Sequence, residues 1–171
     1  MGQTFESFND LFNGNKDRIF NLLFRLTGDY HTAEDLFQET FLRAYRGFDR
    51  FDGRSAMSTW LHAIAVNVFR DHTRRSRKDR YEKIGADSEG FLSGGQRDDP
   101  EEALLKKEEH EDLQRLLVSL KPALRVPVVL FYIDGLSIRD ISSITGKSEP
   151  SIKVALHRAR NLLRSELGRE G

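Results

Sequence analysis

No cysteine occurs among the 171 residues. Disulfides and thiolate metal sites are thereby excluded, and the composition suits a reducing compartment. Long apolar runs are also missing. The longest, Val126–Ile133, is far shorter than the roughly 20 residues that cross a bilayer as a helix. The first ten residues hold Glu6 and Asp10 and no basic cluster, so no secretory signal is expected. The chain is read as a cytoplasmic protein without membrane insertion. Catalytic signatures are lacking as well. The five histidines, His31, His62, His72, His110 and His157, show no metal-ligand spacing, and neither a glycine-rich phosphate loop nor a nucleophile elbow occurs. Asp71 and His72 are sequence neighbours, which point about 100° apart on a helix and make a poor dyad. No enzyme, no metal and no cofactor are expected.

Net charge is absent too, since 27 basic side chains balance 27 acidic ones. The distribution is uneven, however. Residues 1–78 carry a net +2, residues 79–112 a net −7 and residues 113–171 a net +5. Two basic ends flank an acidic middle, and local patches govern binding more than the total does. The apolar fraction of 38% is enough to bury a core.

What is present is helical periodicity almost throughout, without a convincing period of two. The pattern predicts a short helix from about Thr4 to Phe12, broken at Asn13-Gly14-Asn15. A second carries Ile19, Leu22, Leu23 and Leu26 and ends at Gly28. A third starts near Thr32, with Asp35 as a capping partner, and runs to Gly47; its apolar face is Leu36, Phe37, Thr40, Phe41, Ala44, Tyr45 and Phe48. A fourth begins around Ser55 and buries Met57, Trp60, Leu61, Ile64, Ala65, Val68 and Phe69.

Periodicity then fades, and Gly85, Gly90, Gly94 and Gly95 mark a flexible linker. Order resumes at Asp99-Pro100-Glu101-Glu102, a helix-start signature. One helix is expected to about Leu120 and another from Pro122 to Tyr132, with Pro127 distorting it or moving its start. Two shorter helices joined at Gly146 complete the chain. The predicted fold is all-α: two small helical domains, 1–78 and 100–171, joined by an acidic flexible linker over 79–99.

The last two helices have helix-turn-helix character. Ser137 and Asp140 form a capping box, Ile138, Ile141 and Ile144 point inward, and Gly146 suits the turn. Ser148 caps a second helix whose core face is Ile152, Ala155, Leu156, Ala159, Leu162 and Leu163. Its opposite face shows Lys153, Val154, His157 and Arg158, where a recognition helix meets base edges. The same pattern fits an αα-hairpin with a solvated basic face.

In the first half, Asn67, Arg70, Arg74 and Arg77 share one side of the fourth helix, with Arg75 and Lys78 near its end. Such a face suits phosphate contact plus a base-edge hydrogen bond, or simple solvation. The loop from Phe51 to Thr59 is small and polar with aromatic flanks, a setting that can accept an extruded base, although Trp60 lies on the apolar stripe. Asp35, Gln38 and Glu39 lie on the outer face of the third helix. They form either an acidic docking face or a solvated one neutralised by Arg43.

Together these segments resemble the extracytoplasmic-function sigma factors of the sigma-70 family. The likeness rests on Thr32–Leu42, on Ser58–Asn67 with the basic run to Lys78, and on Ala123-Leu124-Arg125 through Asp134–Ser137 to Leu156–Arg160. It implies an alternative sigma factor that binds core RNA polymerase and directs promoter-specific initiation. By that likeness Asp35, Gln38 and Glu39 dock on the clamp coiled coil of the largest catalytic subunit. Asn67, Arg70, Arg74 and Arg75 face the minus-ten element, and Lys153, Val154, His157 and Arg158 read the minus-thirty-five element. The linker would thread the catalytic channel, and an anti-sigma factor is an implied partner. The chain departs from the family pattern at Leu120-Lys121-Pro122 and at Pro150-Ser151 with Lys153-Val154-Ala155. The competing reading is a stand-alone helix-turn-helix regulator of duplex DNA, which leaves the Asp35 and Asn67 faces without a task. A degenerate sigma-like interaction module is a third.

Overall fold

Helix α1 (Phe8–Thr27) starts where Ser7, in extended geometry, accepts a hydrogen bond from the Asp10 amide at 3.3 Å. It describes one unbroken rod through Asn13-Gly14-Asn15, where the sequence predicts a break. Asn15 lies within the buried stripe Leu11, Asn15, Ile19, Leu22, Leu23 and Leu26, and its amide donates to the Leu11 carbonyl at 2.9 Å. A polar residue inside the stripe is thus satisfied by its own helix. Gly28 ends α1 at φ +72, with its N–H on the Phe24 carbonyl. Helix α2 (Tyr30–Gly47) follows at once. Its cap is Asp29 and not Thr32: the Asp29 carboxylate accepts from the Thr32 amide at 2.8 Å and the Thr32 hydroxyl at 2.7 Å. These bonds hold the Asp29 carboxyl below its usual value.

The computed structural model describes residues 7–82 and 102–168, with side chains over 7–80 and 110–168. Beyond a 3₁₀ turn (Phe48–Arg50) and an exposed loop, α3 spans Met57–Glu82, so residues 79–82, expected in the linker, are helical. The remaining linker residues and the Asp99-Pro100-Glu101 cap lie outside the described residues. The second region comprises α4 (Glu102–Ser119), α5 (Pro122–Val128), a π-helical turn (Val129–Ile133), α6 (Ile138–Thr145) and α7 (Glu149–Leu167). Pro127 is buried inside α5 without moving its start. The helix widens past it, and the Asp134 amide reaches the Val129 carbonyl at 3.0 Å. The fold is all-α, with no strand among the described residues.

Phenylalanine fills the α1–α2 seam. Phe12 and Phe37 each pack on Phe41 with ring centroids 4.8 Å apart, and Phe8 meets Phe48 edge-on at 5.7 Å. Inclined and edge-on pairs of this kind add about 0.5–1.5 kcal/mol each beyond area burial. In α3 the buried stripe is Leu61, Ala65, Val66, Val68 and Phe69, with Met57, Trp60 and Ile64 partly covered.

The two regions pack directly on each other, and their buried side chains form one continuous apolar cluster. Polar bonds fasten this joint. The buried Arg125 guanidinium donates to the Leu26 carbonyl at the end of α1, and its Nη2 donates to the Val118 and Leu120 carbonyls at 2.8 Å. Desolvation lowers its pKa from the ordinary value. Gln114 donates to the Phe24 and Arg25 carbonyls at 3.3 and 3.1 Å. A Cβ on Gly28 would come within 2.6 Å of Val118 Cγ2, so glycine there serves both the left-handed turn and the close approach of α4.

Candidate nucleic-acid interface

The helix-turn-helix is built as the sequence predicts. Ser137 Oγ accepts from the Asp140 amide at 3.1 Å and starts α6. Gly146 closes α6 at φ +69, and Ser148 Oγ accepts from the Ser151 amide at 3.3 Å to start α7. Pro150 sits in the first turn, where a missing N–H matters least. Ile152, Leu156 and Ala159 are buried, while Lys153, Val154, His157 and Arg158 are all exposed. Val154 shows 49% of its surface, an apolar contact point among cations. Asn161 Nδ2 lies 3.2 Å from His157 Nε2 and steadies the ring. Leu162, expected in the core, is 49% exposed, because the stripe continues through partly buried Leu163 and Leu162 points about 100° away from it.

On α3 the four candidate DNA-facing residues are divided. Asn67, Arg74 and Arg75 are exposed. Arg70 is half-buried, its Nη1 donating to the Thr145 carbonyl of α6 at 2.9 Å, and desolvation lowers its pKa. At 100° per residue, Asn67 and Arg74 point nearly together while Arg70 is turned toward the joint. Arg74 lies 3.4 Å from Asp71. The loop before α3 presents exposed Asp52, Gly53 at φ +71 and Arg54, the last paired with Asp52 at 2.8 Å. Trp60 packs against Phe51 with centroids 5.2 Å apart.

On α2, Asp35 and Gln38 are exposed. Glu39 is committed to Arg43 at 2.7 Å, and Arg43 reaches across to Asp71 on α3 at 3.0 Å. A charge chain Glu39–Arg43–Asp71–Arg74 therefore ties α2 to α3, and both carboxylates hold the Arg43 pKa above its ordinary value. Sequence reasoning missed the continuation of the outer stripe. Leu42 is 51% and Tyr45 66% exposed, at i+7 and i+10 from Asp35. Tyr45, expected in the core, rests one edge on Phe8 at 5.2 Å. The helical spacing of 35, 38, 42 and 45 is the signal that could have found it.

His62 was likewise hidden within the apolar stripe of α3. It is 1% exposed, with Nδ1 2.7 Å from the Ser58 carbonyl and Nε2 3.5 Å from the Asp134 carboxylate at the end of the π turn. Neither Nε2 nor Asp134 Oδ2 makes a well-aligned hydrogen bond, so two buried polar atoms face each other across the joint without one. Among the described residues there is no cluster of three or more metal-ligating side chains, and no helix is long and apolar enough to cross a membrane.

Residues 11–79 match the Sigma-70 region 2 family model and residues 110–163 match Sigma-70, region 4. The chain is an extracytoplasmic-function sigma factor of the sigma-70 family. Among relatives, it is 35% identical over 167 residues to the ECF RNA polymerase sigma factor SigW of Bacillus subtilis, covering 95% of this chain and 89% of SigW. It is 35% identical over 162 residues to the sigma factor YlaC of the same organism, covering 95% and 92%. The fold is shared with the sigma factor RpoE in its complex with the anti-sigma factor NepR from Bartonella quintana, at TM-score 0.77 and 24% identity, covering 94% and 96%. This sigma factor directs transcription by RNA polymerase at selected promoters. The stand-alone regulator reading is not favoured, because region 2 occupies the half that such a regulator leaves unexplained. Family members are initiation factors and not enzymes.

Proposed function

We propose that the three exposed faces divide the work of a sigma factor acting in the cytoplasm. Asp35, Gln38 and Glu39 dock on the clamp coiled coil of the largest polymerase subunit, with Leu42 and Tyr45 extending the same stripe as its apolar part. Asn67, Arg70, Arg74 and Arg75 engage the minus-ten element, and the loop before Trp60 holds an extruded base. Lys153, Val154, His157 and Arg158 read the minus-thirty-five element in the major groove. The segments 1–78 and 100–171 act as separate domains on the polymerase, and the acidic stretch between them threads its catalytic channel. An anti-sigma factor is a further partner, as it is for the relative solved with NepR.

The observation that carries this reading is the outer face of α7. Lys153, Val154, His157 and Arg158 are all exposed beside a buried seam of Ile152, Leu156 and Ala159.

Run-off transcription with purified core polymerase on fragmented host DNA, sequencing the transcript starts, tests it. Wild-type protein should yield new starts that share a spaced pair of upstream elements. Lys153→Ala or Arg158→Ala should change the upstream element selected while core binding is kept. Asp35→Arg should lose competition for core. Starts independent of the protein, or an unchanged promoter set, would remove these side chains from their roles.

A further inference from the structure

Four cations surround one hollow between the two regions. Arg70 and Arg77 come from α3, Lys121 from the start of α5 and Lys147 from the α6–α7 turn. The hollow measures about 320 Å³, and none of the residues lining it is acidic. None of the four forms an ion pair with a described residue. Asp71, the nearest carboxylate in sequence to Arg70, is already shared by Arg43 and Arg74. Arg70 is partly desolvated and its guanidinium bonds only a neutral carbonyl.

Four like charges brought together by packing oppose that packing, unless an anion sits among them. Planar arginine forks and mobile ammonium groups together match phosphate oxygens. The volume lies at the small end of ligand sites, too small for a duplex, and Val126 and Pro127 form an apolar wall beside the charges. We propose that this hollow binds a small multivalent phosphate, and that its occupancy fastens the two regions together. Binding to the closed arrangement alone shifts the equilibrium toward it by mass action. The inference does not depend on the assignment of promoter-reading residues.

Calorimetric titration of the full chain with sodium diphosphate, against sodium sulfate at equal ionic strength, tests the proposal. One saturable diphosphate site is expected, and the melting temperature should rise with diphosphate concentration. Lys121→Glu with Lys147→Glu should weaken binding by about tenfold or more through charge reversal at two lining positions. Lys16→Glu, at an exposed position on α1, should leave it unchanged. Lys121→Gln with Lys147→Gln serves if the reversed pair fails to fold, judged by circular dichroism, and should weaken binding in the same direction. Absence of a saturable site, equal loss in Lys16→Glu, or equal affinity for sulfate would overturn the proposal. So would displacement of diphosphate by a short single-stranded oligonucleotide at lower concentration, which would give the hollow to nucleic acid.

Discussion

Arg125 shows how much one side chain can hold. Its guanidinium collects carbonyls from the ends of α1 and α4, where the last turns leave acceptors without partners. Replacing it by methionine keeps the volume and strands those carbonyls. Arg125→Met should lower stability by about 1.5–3 kcal/mol, the range for hydrogen bonds to charged groups; chemical denaturation measures it. Asp29 acts at the surface of the first region. Asp29→Ala should cost about 1 kcal/mol at neutral pH by loss of the cap. The folded carboxyl is held below its usual value. Its stabilisation is therefore complete above the unfolded value, about 3.9, and vanishes as pH falls through the depressed folded one. Melting curves of wild type and variant should converge in that acid range. Equal separation at all pH values would show that ionisation of Asp29 does not matter.

At the scale of elements, most of the fold was legible because the apolar stripes repeat at helical spacing. The helix-turn-helix was read to the residue: Ser137, Gly146 and Ser148 have the chemistry that caps and turns require, and they perform it. The predicted break in α1 failed because Asn-Gly-Asn is also turn chemistry. The evidence against a break lay in the run Leu11, Asn15, Ile19, Leu22, which never leaves phase. Since Gly14 is exposed within that helix, Gly14→Ala should raise stability by up to about 1 kcal/mol. A loss of stability there would place the residue in a backbone geometry alanine cannot take. The exposed faces of α2, α3 and α7 were readable for the same reason as the core, since a face is a matter of phase. The half-burial of Arg70 was not readable, because packing against another region has no local signature.

At the scale of the molecule, the joint between the regions was not legible at all. Its acceptors are backbone carbonyls of Leu26, Phe24, Arg25 and Thr145, groups that every residue carries and no pattern marks. Gln114 can be used to loosen it without touching an exposed face. Gln114→Ala should raise the affinity of the free chain for a single-stranded minus-ten oligonucleotide by severalfold, read by fluorescence anisotropy. The reason is that apparent affinity scales with the fraction of molecules in the competent arrangement. Unchanged affinity would mean that the joint does not limit access to α3.

The bond from Arg70 to Thr145 carries this further. Arg70 keeps N–H groups beyond the one given to Thr145. In the closed arrangement, however, they face a hollow too small for a duplex, so in its proposed role closure and promoter engagement are alternatives. The competitor for DNA is then built into the chain and cannot be diluted away. A sigma factor wired like this carries its own restraint in a fixed one-to-one ratio, whatever its abundance.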